Sequence, residues 1–396
     1  MLPDGAGNLA RRVEYRPCRD PVRGPNVASI RKLGDKRYRI VYDAPPRNGK
    51  RRQMTETLVG VTKAKAEEIL ADRKRTVTGG QFVADQEMTL NDLFDRFMEV
   101  KSKKCAATTL QRYDSLLRTY LRPRFGKIAL GKLKTVDLVS AYASWSRSKV
   151  APRTVLHAHD LMRNALNRAV KWSLVTRSVA ASLDSDDLPK AIKPESAVLN
   201  ESELRRLLDE AKQPSSRSTS RGYLSAYAAF YPAVAFAAYT GARRGEVLAL
   251  RWSELDLDAG TVTISRSLAQ TRDGLFFKEP KSGRTRTISI SSTLVATLRS
   301  HRASQSAEKL ALGAAYHDEG LVFARPDGST LTPWNFGVAF RDFVRRTGVP
   351  RIWLHDLRDT HASLLAKAEV PIEVVSKRLG HFTIAITVGP LLGRLA

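Results

Sequence analysis

The sequence predicts a mainly α-helical α+β protein with small antiparallel β elements, divided into three domains. Three observations support this fold class. Apolar residues recur at helical spacing over long stretches, and they alternate with polar residues in an early basic segment. The chain, at 396 residues, is also too long for a single compact core. Polar linkers separate these stretches, so we expect a β domain, a four-helix domain and a mixed α/β domain in that order.

Residues 1–25 carry Pro, Gly and Arg without periodicity and are expected to form a flexible basic leader. A small domain follows over residues 26–80. Within it, the alternation of Tyr38, Ile40 and Tyr42 predicts a strand, "APPRNGK" predicts a turn, and "RRQMTETL" predicts the returning strand before one helix. Two interpretations stay open: a basic ribbon that enters a DNA major groove, or a solvated hairpin without a ligand.

Residues 88–183 are predicted to form an all-α domain of four helices with interleaved Lys and Arg. The last two helices are expected over residues 135–147 and 152–172. The second of them begins with Pro152, at a first-turn position that tolerates proline. The acidic, proline-containing segment 184–196 predicts a linker to the next domain.

The third domain, residues 197–396, is predicted to be helical with a small sheet at one edge. It opens with Asn200 and Glu203, which are spaced as a helix-capping pair. The segments "TVTISRSL" and "GLFFKEPKSGRTRTISI" predict two or three antiparallel strands with Lys281 in a hairpin. Helices are expected to resume near Thr293.

Net charge is the most unusual property of the composition. The chain has 66 Lys and Arg residues and 40 Asp and Glu residues, which gives +26. A folded chain with this imbalance is expected to bind a polyanion, nucleic acid before membrane; the alternative is a charged surface without a binding role. Two cysteines exclude a disulfide scaffold and a cysteine-based zinc site. Because no apolar segment of membrane-spanning or signal-peptide type occurs, a cytoplasmic, nucleoid-associated location is expected.

Four stretches of the third domain combine into one candidate site. "YTGARRGEVLALRW" places Arg243 at a predicted turn into a helix, and "KEPKSGRTRTISI" contains Lys281. "LHDLRDTHASLL" places His355 and Arg358 on one helical face, and "RLGHFT" adds His381. Two arginines can neutralise the charge of a pentavalent phosphorane, a lysine can protonate a leaving 5′ oxygen, and a histidine can accept the proton of the attacking group. This set suits a phosphodiester handled without a metal, but it lacks a nucleophile.

Each stretch taken alone has a simpler interpretation. His355 is then a satisfied core histidine, and Arg243 and Arg244 are a surface pair. Three aromatic residues are expected in the core rather than as stacking platforms: Trp252, Trp334 and Phe336. The order and spacing of all four stretches favour the phosphodiester site.

These stretches closely resemble, in this order, the active-site signatures of tyrosine recombinases of the phage integrase family, of the actinobacterial phage or integrative-element type. The four-helix domain resembles the SAM-like core-binding domain of that family, and the N-terminal sheet more loosely resembles its arm-binding domain. The resemblance implies binding of double-stranded DNA at core-type and arm-type attachment sites, a homotetramer on DNA, and strand exchange through 3′-phosphotyrosine links. It also implies accessory partners, a directionality factor or a host bending protein, and no metal or nucleotide cofactor.

The resemblance further implies the role of each site residue. Arg243 and Arg358 match the two phosphate-binding arginines, and Lys281 matches the general acid of the hairpin. His355 is a general-base candidate, and His381 matches the second histidine that contacts the scissile phosphate.

The nucleophile of the family has no counterpart at the expected place. The tyrosine of the family lies nine or ten residues beyond the position of His381, where this sequence has Pro390 and Leu391. The match ends at Thr387, so we expect the catalytic domain to be truncated or altered after that residue, through a frameshift, a truncation or real divergence. The supporting acidic position is present as Glu246.

Other hydroxyl groups are poor substitutes for that tyrosine. Thr383 and Thr387 require stronger activation than a phenol, and Tyr239 lies in an apolar stretch and is expected in the core. We therefore predict DNA binding without a covalent intermediate. Three functions stay open: a recombinase defective in cleavage, a DNA-binding regulator or competitor at attachment sites, and a type IB topoisomerase.

Overall fold

The structure, a computed structural model, describes residues 11–17, 28–47, 50–78, 88–192, 197–213, 228–280, 283, 285–381, 383–385 and 387. The described residues divide into two units, with the boundary after Ile192. The first unit contains a β-sheet domain and a helical domain, and the second contains the mixed α/β domain. Helices dominate, and the sheets formed by the described strands are small and antiparallel, which confirms the predicted fold class.

The N-terminal domain is a four-stranded antiparallel sheet followed by one helix. Its elements are β1 Arg11–Pro17, β2 Ser29–Gly34, β3 Arg37–Arg47, β4 Lys50–Val59 and α1 Lys63–Thr78, with the strands in the order β1-β4-β3-β2. Tyr38, Ile40 and Tyr42 are buried and share a core with Leu58 of β4. The alternation in β3 therefore marks the side of the sheet that faces the core.

The prediction of a flexible leader over residues 1–25 is wrong for residues 11–17. These residues form β1, which pairs with β4 from Arg11 opposite Leu58 to Pro17 opposite Arg52. The stretch "RRVEYRP" alternates polar and apolar residues, but three arginines obscured this signal. The other leader residues lie outside the described part of the chain.

A buried carboxylate attaches α1 to the sheet. Glu56 of β4 is 4% exposed and accepts a hydrogen bond from Tyr42 Oη at 2.6 Å. Arg73 of α1 donates to the same carboxylate from Nε at 3.0 Å and from Nη2 at 3.4 Å. Burial and the hydrogen bond to Glu56 raise the pKa of Tyr42. Because both partners converge on one buried carboxylate, Glu56 couples the helix to the sheet.

The helical domain contains the four helical segments that the sequence predicts. Its helices are α2 Leu90–Ser102, α3 Ala107–Leu116, α4 Arg122–Phe125, α5 Thr135–Arg147 and α6 Pro152–Lys171. A π-helical turn over Leu117–Leu121 joins α3 to α4, so these two run as one segment. The bounds of α5 are those predicted, and α6 ends one residue before the predicted end. Within the described residues, no helix is both long and apolar enough to cross a membrane.

The third domain is built on a helical core. Its helices are α7 Glu201–Lys212, α8 Phe230–Thr240, α9 Arg244–Ala249, α10 Ser292–Leu312, α11 Pro333–Thr347, α12 Asp356–Lys367 and α13 Ile372–Leu379. The predicted capping pair is confirmed: Asn200 accepts from the N–H of Glu203 at 2.9 Å, and Glu203 accepts from the N–H of Asn200 at 2.8 Å. The buried helix α8 packs against α7, α10 and α12.

The strands of this domain form two sheets. β5 Leu255–Asp256, β6 Thr261–Ile264 and β9 Arg286–Ser289 form one antiparallel sheet, and β7 Ser267–Thr271 pairs with β8 Gly274–Lys278. The prediction of one hairpin around Lys281 is therefore wrong, because β8 and β9 lie in different sheets. β9 instead pairs with β6, where Val262 and Ile288 lie opposite each other and both are buried. Lys281 itself lies outside the described residues, between β8 and β9.

We expect the substitution Glu56→Gln to lower the free energy of unfolding of the N-terminal domain by about 1–3 kcal/mol, because Arg73 loses its ionic partner. Hydrogen exchange of β3 and β4 peptides, measured by mass spectrometry in the full chain, reports this loss. The matched control is Glu68→Gln, which removes an exposed carboxylate 2.8 Å from Lys65 and should change exchange little. Equal effects of both substitutions would contradict a coupling role for Glu56.

Candidate active site

Arg243 lies at the turn between α8 and α9, and Glu246 holds its side chain. Gly241 ends α8 with a φ of +65°, and Arg243 is extended at the start of α9. Glu246, in the first turn of α9, accepts hydrogen bonds from the backbone N–H and from Nη1 of Arg243, both at 2.9 Å. The predicted turn into a helix is confirmed, and its capping carboxylate also fixes the guanidinium.

The carboxylate of Glu246 binds a second guanidinium, that of Arg286 in β9. Arg286 donates from Nη2 at 2.7 Å and from Nη1 at 3.3 Å, and Glu246 is only 2% exposed. Burial alone would raise the pKa of Glu246, but the hydrogen bonds and charges of Arg286 and Arg243 lower it below its usual value. Glu246 is therefore a buried anion that compensates two cations.

Arg358 is the second predicted phosphate-binding arginine, and it is 3% exposed. It lies in the first turn of α12, where its N–H donates to the carbonyl of His355 at 3.0 Å. Its Nη1 donates to the carbonyl of Gly241 at 2.7 Å, and its Nη2 donates to that of Leu379 at 2.5 Å. Burial and the charge of Arg243 lower the pKa of Arg358 to about 9, so it stays cationic at neutral pH.

Two glycines supply backbone carbonyls to the two arginines. Gly241 ends α8 and Gly380 ends α13, both in the left-handed conformation, and the carbonyl of Gly380 accepts from Arg243 Nη2 at 3.5 Å. A β-carbon at Gly241 would lie 2.6 Å from Cδ2 of Leu379, and one at Gly380 would lie 3.0 Å from Cδ of Arg286. The left-handed backbone favours glycine at both positions, and a side chain at position 241 would also have to displace Leu379.

His355 and His381 lie near these arginines, and both have lowered pKa values. His355 is an exposed residue immediately before α12, and its side chain makes no capping hydrogen bond. Desolvation lowers its pKa, Arg358 and Arg243 lower it further, and Asp359 opposes them. Burial, followed by the same two arginines, lowers the pKa of His381 to about 4. Both imidazoles are therefore neutral near pH 7, which is the state that a general base requires.

A further contact, between Arg378 and His361, joins the elements that carry the site. Nε of Arg378 donates to Nε2 of His361 at 3.0 Å, and its Nη1 and Nη2 donate to the carbonyls of Ser289 and Tyr239 at 2.9 and 3.2 Å. Burial and the charge of Arg378 lower the pKa of His361 to about 3, so the ring is a neutral acceptor. Arg378 thus connects α13 with α8, β9 and α12.

Sequence reasoning missed Arg286, Arg378 and His361, although the sequence contained a signal for two of them. Arg286 is two residues before buried Ile288, so the period of a strand places it on the core side. His361 follows Arg358 by three residues and shares its helical face. Arg378 gave no comparable signal, since its partners lie in three other elements.

The structure brings five predicted residues into one site: Arg243, Glu246, His355, Arg358 and His381. Three predicted positions lie outside the described residues: Lys281, Pro390 and Leu391.

Tyr239 packs against the core, and its phenol interacts with Tyr231 and with Lys212 of α7, in agreement with its expected core role. In the described part of the chain, no three His, Cys, Asp or Glu side chains form a group that could hold a metal ion.

The predictions for the three aromatic residues hold for two of them. Phe336 is buried, and Trp252 packs against the core with its Nε1 donating to Gln305 at 2.6 Å. Trp334, at the start of α11, is 68% exposed, so the prediction that it belongs to the core is wrong. Its neighbours Pro333 and Phe336 take the buried positions of this helix turn instead.

The arrangement is chemically suited to a phosphate diester. Arg243 and Arg358 are held in fixed positions by a carboxylate and by backbone carbonyls, and guanidinium groups bind phosphate oxygens in pairs. Neutral His381 adds a further hydrogen-bonding group beside them. Groups preorganised in this way stabilise charge that develops in a transition state without reorganising.

Two family models match the chain. The model described as the phage integrase family matches residues 197–389, and the phage integrase N-terminal SAM-like domain matches residues 89–146. A tyrosine recombinase XerC-like protein of Caldanaerobacter subterraneus subsp. tengcongensis is 24% identical over 375 residues, which cover 90% of this chain and 92% of that protein.

Solved structures with the same fold include integrases bound to DNA. The Tn1549 transposon integrase in complex with transposon right end DNA has a TM-score of 0.65 and 18% identity, and the match covers 76% of this chain and 94% of that one. A lambda integrase tetramer bound to a Holliday junction has a TM-score of 0.57 and 15% identity over 91% of this chain and 95% of that one. At these identities the likeness shows the fold.

We expect Glu246→Gln to destabilise this domain by about 3–5 kcal/mol at pH 7, because two buried guanidinium groups lose their anion. The folded-state pKa of Glu246 lies below the ordinary 4.5, so its contribution is fully present above pH 4.5 and is lost as the pH falls further. The difference between the wild type and the variant should therefore shrink between pH 4.5 and 3. Urea titration followed by tryptophan fluorescence measures it, with the transition of this domain identified through Trp252→Phe.

The matched control is Glu203→Gln in the exposed capping pair of α7, where the amide still accepts a hydrogen bond. Its cost should stay below about 1 kcal/mol at pH 7. A Glu246→Gln penalty that is equally large at pH 3 and pH 7 would show that packing, not charge, explains the role of Glu246.

Proposed function

Because the chain belongs to the phage integrase family of tyrosine recombinases, we propose that it acts in site-specific DNA recombination and binds a DNA phosphodiester in its catalytic domain. The observation that carries the proposal is the cationic site in which Glu246 and backbone carbonyls hold Arg243 and Arg358 beside His381. The net charge of +26 is consistent with a polyanionic partner.

In the proposed site, each residue acts on the phosphodiester in a distinct way. The guanidinium groups of Arg243 and Arg358 bind nonbridging oxygens and offset the charge of a phosphorane. His381 donates a hydrogen bond to the same group, and neutral His355 is the general-base candidate. Lys281 is the proposed general acid, on the segment between β8 and β9.

The N-terminal sheet is the proposed site for arm-type DNA. Arg31 and Arg39 are exposed on adjacent strands, opposite each other, and Thr57 and Arg12 continue the same cross-strand row. A basic row across a narrow sheet suits the phosphates and base edges of a major groove. The helical domain is the proposed reader of core-type sites, supported by its match to the SAM-like domain.

We extend the proposal to assembly and location. The fold likeness to a lambda integrase tetramer supports a homotetramer on DNA, and the nature of the substrate supports a cytoplasmic, nucleoid-associated protein. A directionality factor or a host bending protein would be its accessory partner.

The proposed defect lies in strand cleavage. Pro390 and Leu391 stand where the resemblance places the attacking tyrosine, and neither side chain carries a hydroxyl group. Tyr239 is not proposed as a substitute, because it packs against the helical core of the domain. Covalent strand cleavage requires a nucleophile that these positions do not provide.

A set of nicked duplexes tests binding and cleavage separately. Duplexes are first selected by the full chain from a random-sequence pool, and a nick is then placed at each position across the footprint. We expect retarded complexes on native gels and no protein–DNA adduct on denaturing gels. Arg358→Lys should weaken DNA binding about tenfold or more, because a lysine cannot donate hydrogen bonds to two phosphate oxygens in the paired geometry of a guanidinium. The control Arg299→Ala, at an exposed side chain, should change DNA binding little. A covalent adduct at any nick position would overturn the proposed defect, and loss of sequence selection would overturn the recombination role.

A second function is favoured by the same residues: a competitor that occupies attachment sites without cutting. The two phosphate-binding arginines are held by contacts among residues 241–379, so the proposed binding does not require a hydroxyl group at position 390 or 391. Added to a recombination reaction of an intact integrase on shared sites, a competitor that enters tetramers should inhibit at less than one equivalent per integrase. Inhibition that appears only at large excess would instead indicate simple site occupancy.

A further inference from the structure

Thr387 makes a hydrogen bond to His381 that has no role in the function proposed above. Its Oγ1 lies 2.7 Å from Nδ1 of His381, and the residue is 2% exposed. Its own N–H donates to the carbonyl of Ile384 at 2.8 Å, which fixes the backbone at this point. The contact therefore joins the C-terminal end of the described chain to a residue of the phosphate site.

The contact restricts the tautomer of His381. A neutral imidazole has one N–H donor and one acceptor nitrogen, whereas a threonine hydroxyl can donate or accept. If Thr387 donates to Nδ1, the proton of His381 lies on Nε2. If Nδ1 donates to Thr387, Nε2 carries a lone pair instead.

Burial decides between the two tautomers. Nδ1 of His381 is the acceptor that the Thr387 hydroxyl reaches, and in the reverse arrangement this buried hydroxyl proton would have no acceptor among the described residues. Such a group is costly. The opposite ring nitrogen, Nε2, has no hydrogen-bond partner within the described part of the chain, and the ring interacts electrostatically with Arg358 and Arg243.

We propose that Thr387 is a positioning residue that holds His381 as the Nε2–H tautomer, so that a neutral histidine donates a hydrogen bond to a phosphate oxygen between the two arginines. The role of His381 as a donor to phosphate rests on the proposed function, whereas the assignment of its Nε2–H tautomer does not depend on it. An Nε2 lone pair would repel the same oxygen, so the hydroxyl of Thr387 determines whether His381 attracts or repels an anion.

Nitrogen-15 NMR of the full chain, labelled at its seven histidines, tests the tautomer. The His381 signals are assigned through His381→Asn. At pH 7 the wild type should show a protonated, pyrrole-type Nε2 and an unprotonated, pyridine-type Nδ1. Thr387→Val, which keeps the shape and removes the hydroxyl, should give shifts averaged between the two tautomers. Thr387→Ser should restore the wild-type pattern, and exposed Thr383→Val is the matched control that should leave it unchanged.

Inorganic phosphate, titrated into the same samples, tests the donor role. Phosphate should shift the Nε2 signal of the wild type and of Thr387→Ser, and the apparent affinity should fall several-fold in Thr387→Val. A pyrrole-type Nδ1 in the wild type, or an unchanged pattern in Thr387→Val, would overturn the positioning role. A fixed Nε2–H tautomer that does not respond to phosphate would overturn the donor role and count against the proposed phosphate site, while the tautomer assignment would stand.

Discussion

The buried carboxylate of Glu246 is the interaction on which the catalytic domain depends. Arg243, Arg286 and Arg358 are three cations within one site, and at short range in a low-dielectric interior like charges repel strongly. Glu246 binds two of them directly, Arg243 at the start of its own helix and Arg286 from a strand of the small sheet. One anion therefore holds together segments that lie 40 residues apart and leaves the third arginine to be satisfied by backbone carbonyls.

Backbone geometry provides those carbonyls. Gly241 and Gly380 end α8 and α13 in a conformation that other residues adopt only with strain, and each turns its carbonyl toward an arginine. Carbonyl dipoles orient a guanidinium without cancelling its charge. The site is thus cationic and rigid before any ligand arrives, which is the condition under which electrostatic stabilisation is most effective.

Local patterns in the sequence predicted local structure well. The helical spacing gave α5 its full bounds, the Asn200 and Glu203 pair was recognised as a cap, and the turn before Arg243 followed from its glycine. Long-range features were not predictable in this way. Whether β9 pairs with β8 or with β6 depends on burial of side chains distant in sequence, and Arg378 acts through partners in three other elements. The edge strand β1 was not predicted, because its three arginines are also typical of a solvated, unstructured segment.

Under the proposed function, phosphate binding and strand cleavage depend on different residues of this chain. The two arginines proposed to bind phosphate are fixed by hydrogen bonds among residues 241–380. A nucleophile contributes to the chemical step but not to the field that attracts an anion. The proposed loss of strand cleavage is therefore compatible with an anion-binding site that stays in place. Thr387 is close in sequence to position 390, but its hydroxyl contacts His381 and so contributes to the proposed phosphate site.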